Sequence, residues 1–299
     1  MPPSLSLTAL EFGYQYALFR PLTLQCHPGE IWALLGANGR GKSALLATLT
    51  GLLPPLAGTM HIRQGSSLVP QSFRPAFAWR VADIVLMGRA RHVALLAQPS
   101  ADDRRRVMAA LTQLGIADLA DHPFPALSGG QQQLVMIARA LASDGQNILL
   151  DEPCSALDLA NQQRVLQLLA DLAQRQGRTI LFSSHDPLHV QQIASHVLLL
   201  LPAGEWLAGP SETILQEAPL RRAYGITVRK IHLAEFDTPL LAPQFALRRT
   251  AAETPPAAGT PARLAQHNVA QALTGGICRQ LRQLIVAQHI PRIGEGQNA

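Results

Sequence analysis

Apolar and polar positions change their spacing several times along the chain, and each change predicts an element. SLSLTALEF (4–12) and PLTLQC (21–26) alternate, which predicts two short strands separated by a turn. The turn His27–Glu30 leads into IWALL (31–35), a continuously apolar run expected of a strand covered on both faces. ALLATLTGLL (44–53) is helix-like until Pro54-Pro55, and TMHIR (59–63) and SSLVPQ (66–71) are strand-like. From Ala76 to about Ser143 the spacing becomes helical, with candidate helices at 81–89, 103–115 and 131–143. NILLDE (147–152) then predicts a buried strand, and residues 159–177 a long amphipathic helix stopped by a glycine. A strand over 178–184 precedes a helix that opens at Asp186-Pro187, with the acid as cap and the proline in the first turn. A last strand over 196–201 completes an alternation that implies an α/β fold around a parallel sheet. TAAETPPAAGTPA (250–262) reads as linker and 263–290 as a weakly helical tail, with no internal repeat.

Composition narrows the class. A chain of 299 residues, 47% hydrophobic with mean hydropathy +0.11, has enough apolar surface for one or two domains without disulfides. No apolar run approaches the ~18 residues needed to span a bilayer, and no charged-then-apolar leader is expected at the N-terminus. Cys26, Cys154 and Cys278 form no CxxC pair, which suits a reducing compartment. Disordered, secreted, fibrous and membrane-spanning classes are thereby set aside. The net charge of +5 is modest, and the arginines are scattered. Arg104, Arg105 and Arg106 follow Asp102 and Asp103 as the polar face of a helix start. With 5% aromatics there is no interleaving of rings and cations for stacking bases, so a solvated basic surface is expected and no nucleic-acid partner. A surface near anionic lipid or a partner complex is the alternative. Lys42 and Lys230 are the only lysines; every other basic residue is arginine.

Lys42 lies in GANGRGKS (36–43), which satisfies the phosphate-loop pattern G-x-x-x-x-G-K-[ST] between a buried strand and a helix. Gly36, Asn38, Gly39 and Gly41 let backbone N–H groups converge on phosphate oxygens at the positive end of the helix. Lys42 can neutralise the β- and γ-phosphates, and the Ser43 hydroxyl can ligate Mg²⁺. A compact ammonium suits such a loop better than the broad guanidinium used elsewhere in the chain. In ILLDEP (148–153), Asp151 can hold Mg²⁺ through water, and Glu152 is placed to polarise an attacking water. LSGGQQQ (127–133) offers a second anion cradle before a helix. One chain has no reason to aim two cradles at one triphosphate, whereas two chains packed head to tail do.

The Lys42 loop, Gln71, LSGGQ (127–131), ILLDE (148–152), SALD (155–158) and His185 come in the order and spacing of an ABC-type ATPase subunit, which the chain resembles over about residues 4–230. The resemblance implies an α/β P-loop NTPase cassette with an antiparallel β subdomain, a RecA-like parallel-sheet core and an inserted α-helical subdomain at about 76–145. It implies a cassette domain over 1–231 and an extension over 232–299. Two copies would sandwich two ATP molecules with Mg²⁺. Tyr14, in FGY (12–14), is similar to the aromatic that stacks on adenine, with Tyr16 as competitor and a core tyrosine as the structural alternative. Gln71 would touch Mg²⁺ and the attacking water and link to a transmembrane partner. Ser128, Gly129 and Gly130, with Gln131 completing the signature, would grip the γ-phosphate across the dimer. Asp158 would organise the dimer interface, and His185 would be the switch histidine contacting the γ-phosphate. Glu152, His185 and Gln71 are thus the expected catalytic residues, and Ser43, Gln71 and Asp151 the expected metal contacts.

Two positions depart from the family pattern. Ala44 replaces a common threonine, so slightly weaker nucleotide affinity is expected with Mg²⁺ ligation intact. Cys154 replaces another threonine, so thiol reagents are expected to inhibit turnover.

The interval from Lys42 to Ser128 has room only for a compact helical subdomain, not the long coiled coil of a chromosome-structuring ATPase. No second phosphate loop follows residue 150, unlike a two-cassette translation factor. A free-standing cassette leans towards a bacterial importer with a separate permease and, indirectly, a periplasmic or surface binding protein. That places it on the cytoplasmic face of the inner membrane. FAWRVADIVLMGRARH (77–92) resembles the branch that imports iron–siderophore, haem and cobalamin, which also includes molybdate and tungstate importers. A metal chelate is therefore the expected cargo, with molybdate or tungstate as the alternative and a non-transport ATPase of nucleic-acid maintenance as the alternative of another class. Ala76–Arg91 would line the groove that receives the permease, with the apolar face of 81–88 as its floor or as core. His232, His267 and His289 lack ligand spacing, so no metal site is expected in the tail.

Overall fold

A computed structural model describes residues 1–94, 97–155, 157–232 and 239–244. In chain order the strands are β1 (Leu5–Glu11), β2 (Leu22–Cys26), β3 (Ile31–Leu35), β4 (Ala57–Ile62), β5 (Ser66–Val69), β6 (Asn147–Leu150), β7 (Thr179–Ser184), β8 (His196–Leu200), β9 (Trp206–Pro210), β10 (Thr227–Ile231) and β11 (Leu240–Gln244). The helices are α1 (Lys42–Leu49), α2 (Val81–Leu86), α3 (Ala101–Gln113), α4 (Gly129–Ala142), α5 (Leu159–Gln176), α6 (Pro187–Ile193), α7 (Ser211–Ile214) and α8 (Glu217–Tyr224). All lie in the compact unit Met1–Ala246.

Six strands form the central sheet in the order β5-β6-β7-β3-β8-β9, parallel except for β9, which runs antiparallel to β8. Its middle strands are largely apolar because both faces are covered, with the few polar residues at their ends. Ile31, Ala33 and Leu35 of β3 join Ile148, Leu150, Ile180 and Phe182 in a core shared with α2 to α6. The intervening Trp32 and Leu34, with Leu149 and Leu181, face the other way into a core shared with α1 and the antiparallel sheet β2-β1-β4. The two-residue period of a strand thus divides one apolar run between two cores.

Several ends differ from the sequence reading. α1 stops at Leu49 because the Thr48 and Thr50 hydroxyls bond back to Ala44 and Leu46 carbonyls and Gly51 turns the chain at φ +76°. The helix expected over 81–89 is α2 followed by a 3₁₀ turn, Met87–His92. There Gly88 passes so close to α4 that a Cβ would collide with the Arg139 carbonyl oxygen. The next residue, Arg89, is buried and binds Asp103 of α3 at 2.9 Å. Asp103 also closes a capping box with Ser100. The Ser100 hydroxyl first, and then Arg89, hold its carboxyl well below the usual carboxylate range. Arg105 and Arg106 pair with Asp102, as the solvated-helix reading expects.

The alternation read from the sequence ends at 201, but the fold continues through β9, α7, α8 and the β10–β11 hairpin. Val228 and Leu241 join the larger core, and the Gln191 amide donates to the Pro239 carbonyl at 2.5 Å. The compact unit runs to Ala246, past residue 231, where the resemblance implied the end of the cassette domain. The linker at 250–262, the tail at 263–290, His267, His289 and Cys278 lie outside the described residues. Among the described residues no helix is long and apolar enough to cross a membrane.

Candidate functional site

The carboxyl ends of three adjacent parallel strands converge: β6 ends before Asp151 and Glu152, β7 before His185, and β3 before the phosphate loop. Ligands of open parallel sheets bind at such strand ends. The loop's last glycine, Gly41, caps α1 at φ +84° with no side-chain cap, so the first N–H groups of the helix stay bare. A Cβ at Gly41 would lie 2.7 Å from Leu18 Cδ1, so the loop needs glycine there. The same contact brings the Tyr14–Leu18 segment beside the phosphate loop. Tyr14 and Tyr16 are 72% and 81% exposed, so neither is a core tyrosine, and both are open to a planar ring.

Glu152 is the hub. Its carboxylate meets the Lys42 ammonium at 3.2 Å, the Gln71 amide at 3.2 Å and His185 Nδ1 at 3.4 Å. Lys42 also donates to the Gly36 carbonyl at 2.8 Å, so this ammonium, its side chain 5% exposed, ties the loop to the acid. Glu152 adopts φ +45°, a left-handed conformation that costs a non-glycine residue about 1–2 kcal/mol. Ser183, fully buried in β7, holds it there. The Ser183 hydroxyl accepts the Glu152 N–H at 2.8 Å and donates to Asp151 Oδ1 at 2.6 Å. The sequence reading does not assign this serine. The signal was available, because a serine inside a strand buried on both faces must have hydrogen-bond partners.

The signature residues stand apart from this hub within one chain. Ser128 caps α4 in a capping box with Gln131, whose side-chain oxygen accepts the Ser128 N–H at 3.0 Å. Gly130 packs so closely on Asn161 that a Cβ would lie 2.8 Å from its side chain. Asp158 caps α5 by accepting the Asn161 N–H at 2.8 Å. The signature and Asp158 are therefore linked through Asn161, with Gly129 across a cleft from Gln71 and Glu152. Among the described residues, none of Ser128, Gly129, Gly130 and Asp158 bonds directly to Lys42, Gln71, Glu152 or His185.

Two sequence expectations change. Cys154 is 5% exposed, and burial, reinforced by the Asp186 carboxylate, pushes its thiol up to about 12. A buried protonated thiol is a poor nucleophile, so sensitivity of turnover to thiol reagents is not expected from this fold. Val81, Ile84 and Val85 are core residues, so the apolar face of 81–88 is not the floor of a groove. The apolar groups that this region exposes are Phe77, Trp79 and Met87.

Ser43 and Asp151 suit a hard cation. Ser43 is exposed on the first turn of α1. Asp151 uses Oδ1 for Ser183. Oxygen donors of this kind match Mg²⁺. Among the described residues no group of three or more His, Cys, Asp or Glu is arranged to hold a metal ion by itself.

Residues 19–155 match the ABC transporter family. The molybdate import ATP-binding protein MolC of Haemophilus influenzae is 48% identical over 67% of this chain and 80% of its own length. The iron(3+)-hydroxamate import ATP-binding protein FhuC of Bacillus subtilis is 36% identical over 67% of this chain and 80% of its own. Among solved structures, a metal-chelate type ABC transporter in an inward-facing conformation superposes with TM-score 0.78 at 42% identity, covering 82% of this chain and 98% of that one.

Proposed function

The chain belongs to the ATP-binding subunits of ABC transporters, and from that membership we propose that it hydrolyses ATP at the Glu152 hub to drive import through separate permease subunits. The observation that carries the proposal is the meeting of Lys42, Gln71 and His185 on one carboxylate at the end of β6. Phosphoryl transfer needs positioning and charge neutralisation more than covalent chemistry, and the site is built for both. The triphosphate enters over the bare N-terminus of α1, and Lys42 exchanges loop carbonyls for phosphate oxygens. Glu152 then accepts a proton from the attacking water, while Gln71 and His185 orient that water and the γ-phosphate. Ser43 and Asp151, with Gln71, would hold Mg²⁺, which supplies charge neutralisation between the phosphates. Tyr14, or Tyr16 beside it, stacks on adenine.

Because Ser128–Gln131 and Asp158 stand away from the hub, a second copy packed head to tail completes each site, giving a homodimer. Phe77, Trp79 and Met87 offer the permease an exposed apolar contact at the entry to the helical subdomain. The dimer would work peripherally on the cytoplasmic face of the membrane, with a binding protein acting on the far side. A metal chelate is the proposed cargo, in line with the 42% identity to the metal-chelate type transporter. Molybdate is the second reading, favoured by the 48% identity to the molybdate import protein. The test is Glu152→Gln. ATP binding persists, turnover falls on the order of 10²–10⁴-fold, and a closed dimer accumulates with ATP. Unchanged ATPase activity in that variant overturns the assignment.

A further inference from the structure

Behind the hub, a polar pair joins two helices that each begin at a loop of the site. Gln162 lies in the first turns of α5, just after its cap Asp158. Its amide nitrogen reaches back to the Leu157 carbonyl at 2.9 Å and the Cys154 carbonyl at 3.3 Å. With its donors used on carbonyls, its oxygen is left to accept, and His189 Nε2 of α6 stands 3.1 Å away. Donor counting therefore fixes both ambiguities: Gln162 Oε1 faces the ring, and Nε2 of His189 carries the hydrogen. Among the described residues this is the one side-chain hydrogen bond between α5 and α6.

The surroundings explain why a polar pair matters here. The His189 side chain is 17% exposed, and it lies on the helix that follows directly from His185 and Asp186. A cavity of about 120 Å³, lined by Glu152, Cys154, Gln162, His185 and His189, separates the two loops. Across that gap the direction-specific bonds of Gln162 and His189 join the two sides. Two apolar side chains would give comparable stability at such a contact, so what the polar pair adds is a fixed distance and orientation.

We propose that the Gln162–His189 pair is a positioning strut that passes movement at Leu157 and Asp158 to the His185 loop, so that Glu152 and His185 reach their working geometry together. When Asp158 engages the second copy, the pull passes through Leu157 to Gln162, and His189 carries it to the start of α6. Among the described residues, neither bonds to Lys42, Gln71, Glu152 or His185. The inference rests on the proposed roles of Glu152, Asp158 and His185.

The test is steady-state ATPase of the full-length chain in four variants, His189→Leu, His189→Gln, Gln162→Met and the double variant His189→Leu/Gln162→Met, with Glu152→Gln as control. Removing either partner lowers kcat on the order of tenfold with KM for ATP unchanged within about twofold, because the phosphate loop is untouched. His189→Gln keeps an N–H donor and restores most of the rate. The double variant is no slower than either single change, because both remove the same bond. The strut is overturned if His189→Leu keeps the wild-type kcat, if His189→Gln loses as much as His189→Leu, or if the losses add in the double variant. Should His189→Leu fail to fold, the Gln162→Met and His189→Gln pair decides by the same criteria. If Glu152→Gln retains turnover, the underlying site assignment fails. If Glu152→Gln is inactive while His189→Leu is fully active, only the strut fails.

Discussion

Ser183→Ala is the sharpest probe of how the hub is held. The substitution removes one oxygen from a fully buried position and leaves two groups without their partner: the Glu152 N–H at 2.8 Å and Asp151 Oδ1 at 2.6 Å. A hydrogen bond to a charged group contributes about 1.5–3 kcal/mol, and an orphaned buried N–H costs about 1–3 kcal/mol. Water from the neighbouring cavity can replace part of this, so a net loss of about 2 kcal/mol is expected. That matches the roughly 1–2 kcal/mol cost of holding Glu152 in its left-handed conformation, so the variant no longer enforces that conformation. A loss of about 2 kcal/mol in positional bias corresponds to roughly 30-fold in kcat. KM for ATP should stay within about twofold, since Lys42 keeps its loop contacts. The same loss should lower Tm by about 4–8 °C for a unit of this size. Steady-state ATPase assays and thermal melting of the same preparations read both numbers. If Tm falls as expected while kcat falls less than about threefold, Ser183 is structural, and its role in aiming Glu152 is refuted.

Two further outcomes follow from the buried groups around the hub. Thiol reagents should leave turnover of the folded protein unchanged, with Cys154 unlabelled by mass spectrometry until denaturant is added; rapid labelling in the folded state would show that the burial is not maintained. Burial lowers the folded-state pKa of His189, helped by the nearby His185 and opposed by the Asp186 carboxylate. The unfolded chain, with an ordinary value of 6.5, takes up a proton that the folded ring resists, so stability is lost as pH falls through 6.5. Melting temperatures followed from about pH 7.5 down to about 5.5 should fall less in His189→Gln than in the wild type; parallel curves would contradict the assignment.

Much of the site was legible because its chemistry is local in sequence. The phosphate loop, the acids after a buried strand and the histidine at a strand end are each one short string, and the three strands that carry them read as apolar runs. Local signals also placed the Asp186 cap and the stop of α5 at Gly177, which adopts φ +63°. What was missed is non-local. Ser183 sits in a run whose pattern says only that it is buried, and its partners lie more than thirty positions away. The hairpin β10–β11 was invisible because TVRKI and LLAPQ gain burial only against α6 and α8, not from any pattern of their own.

The sequence by itself determined that this chain carries a site for a nucleoside triphosphate, because phosphate recognition is written in glycine, lysine and hydroxyl spacing over eight residues. It also determined the α/β class, because strand and helix periods differ. Only the tertiary structure decided what surrounds that chemistry. It turned the apolar face of α2 into core and left Phe77, Trp79 and Met87 outside. It silenced Cys154 by burial, and it gave Ser183, Gln162 and His189 their partners. The physical reason is the same in each case: burial and hydrogen bonding across the fold depend on which elements pack together, and that choice is made by the whole chain.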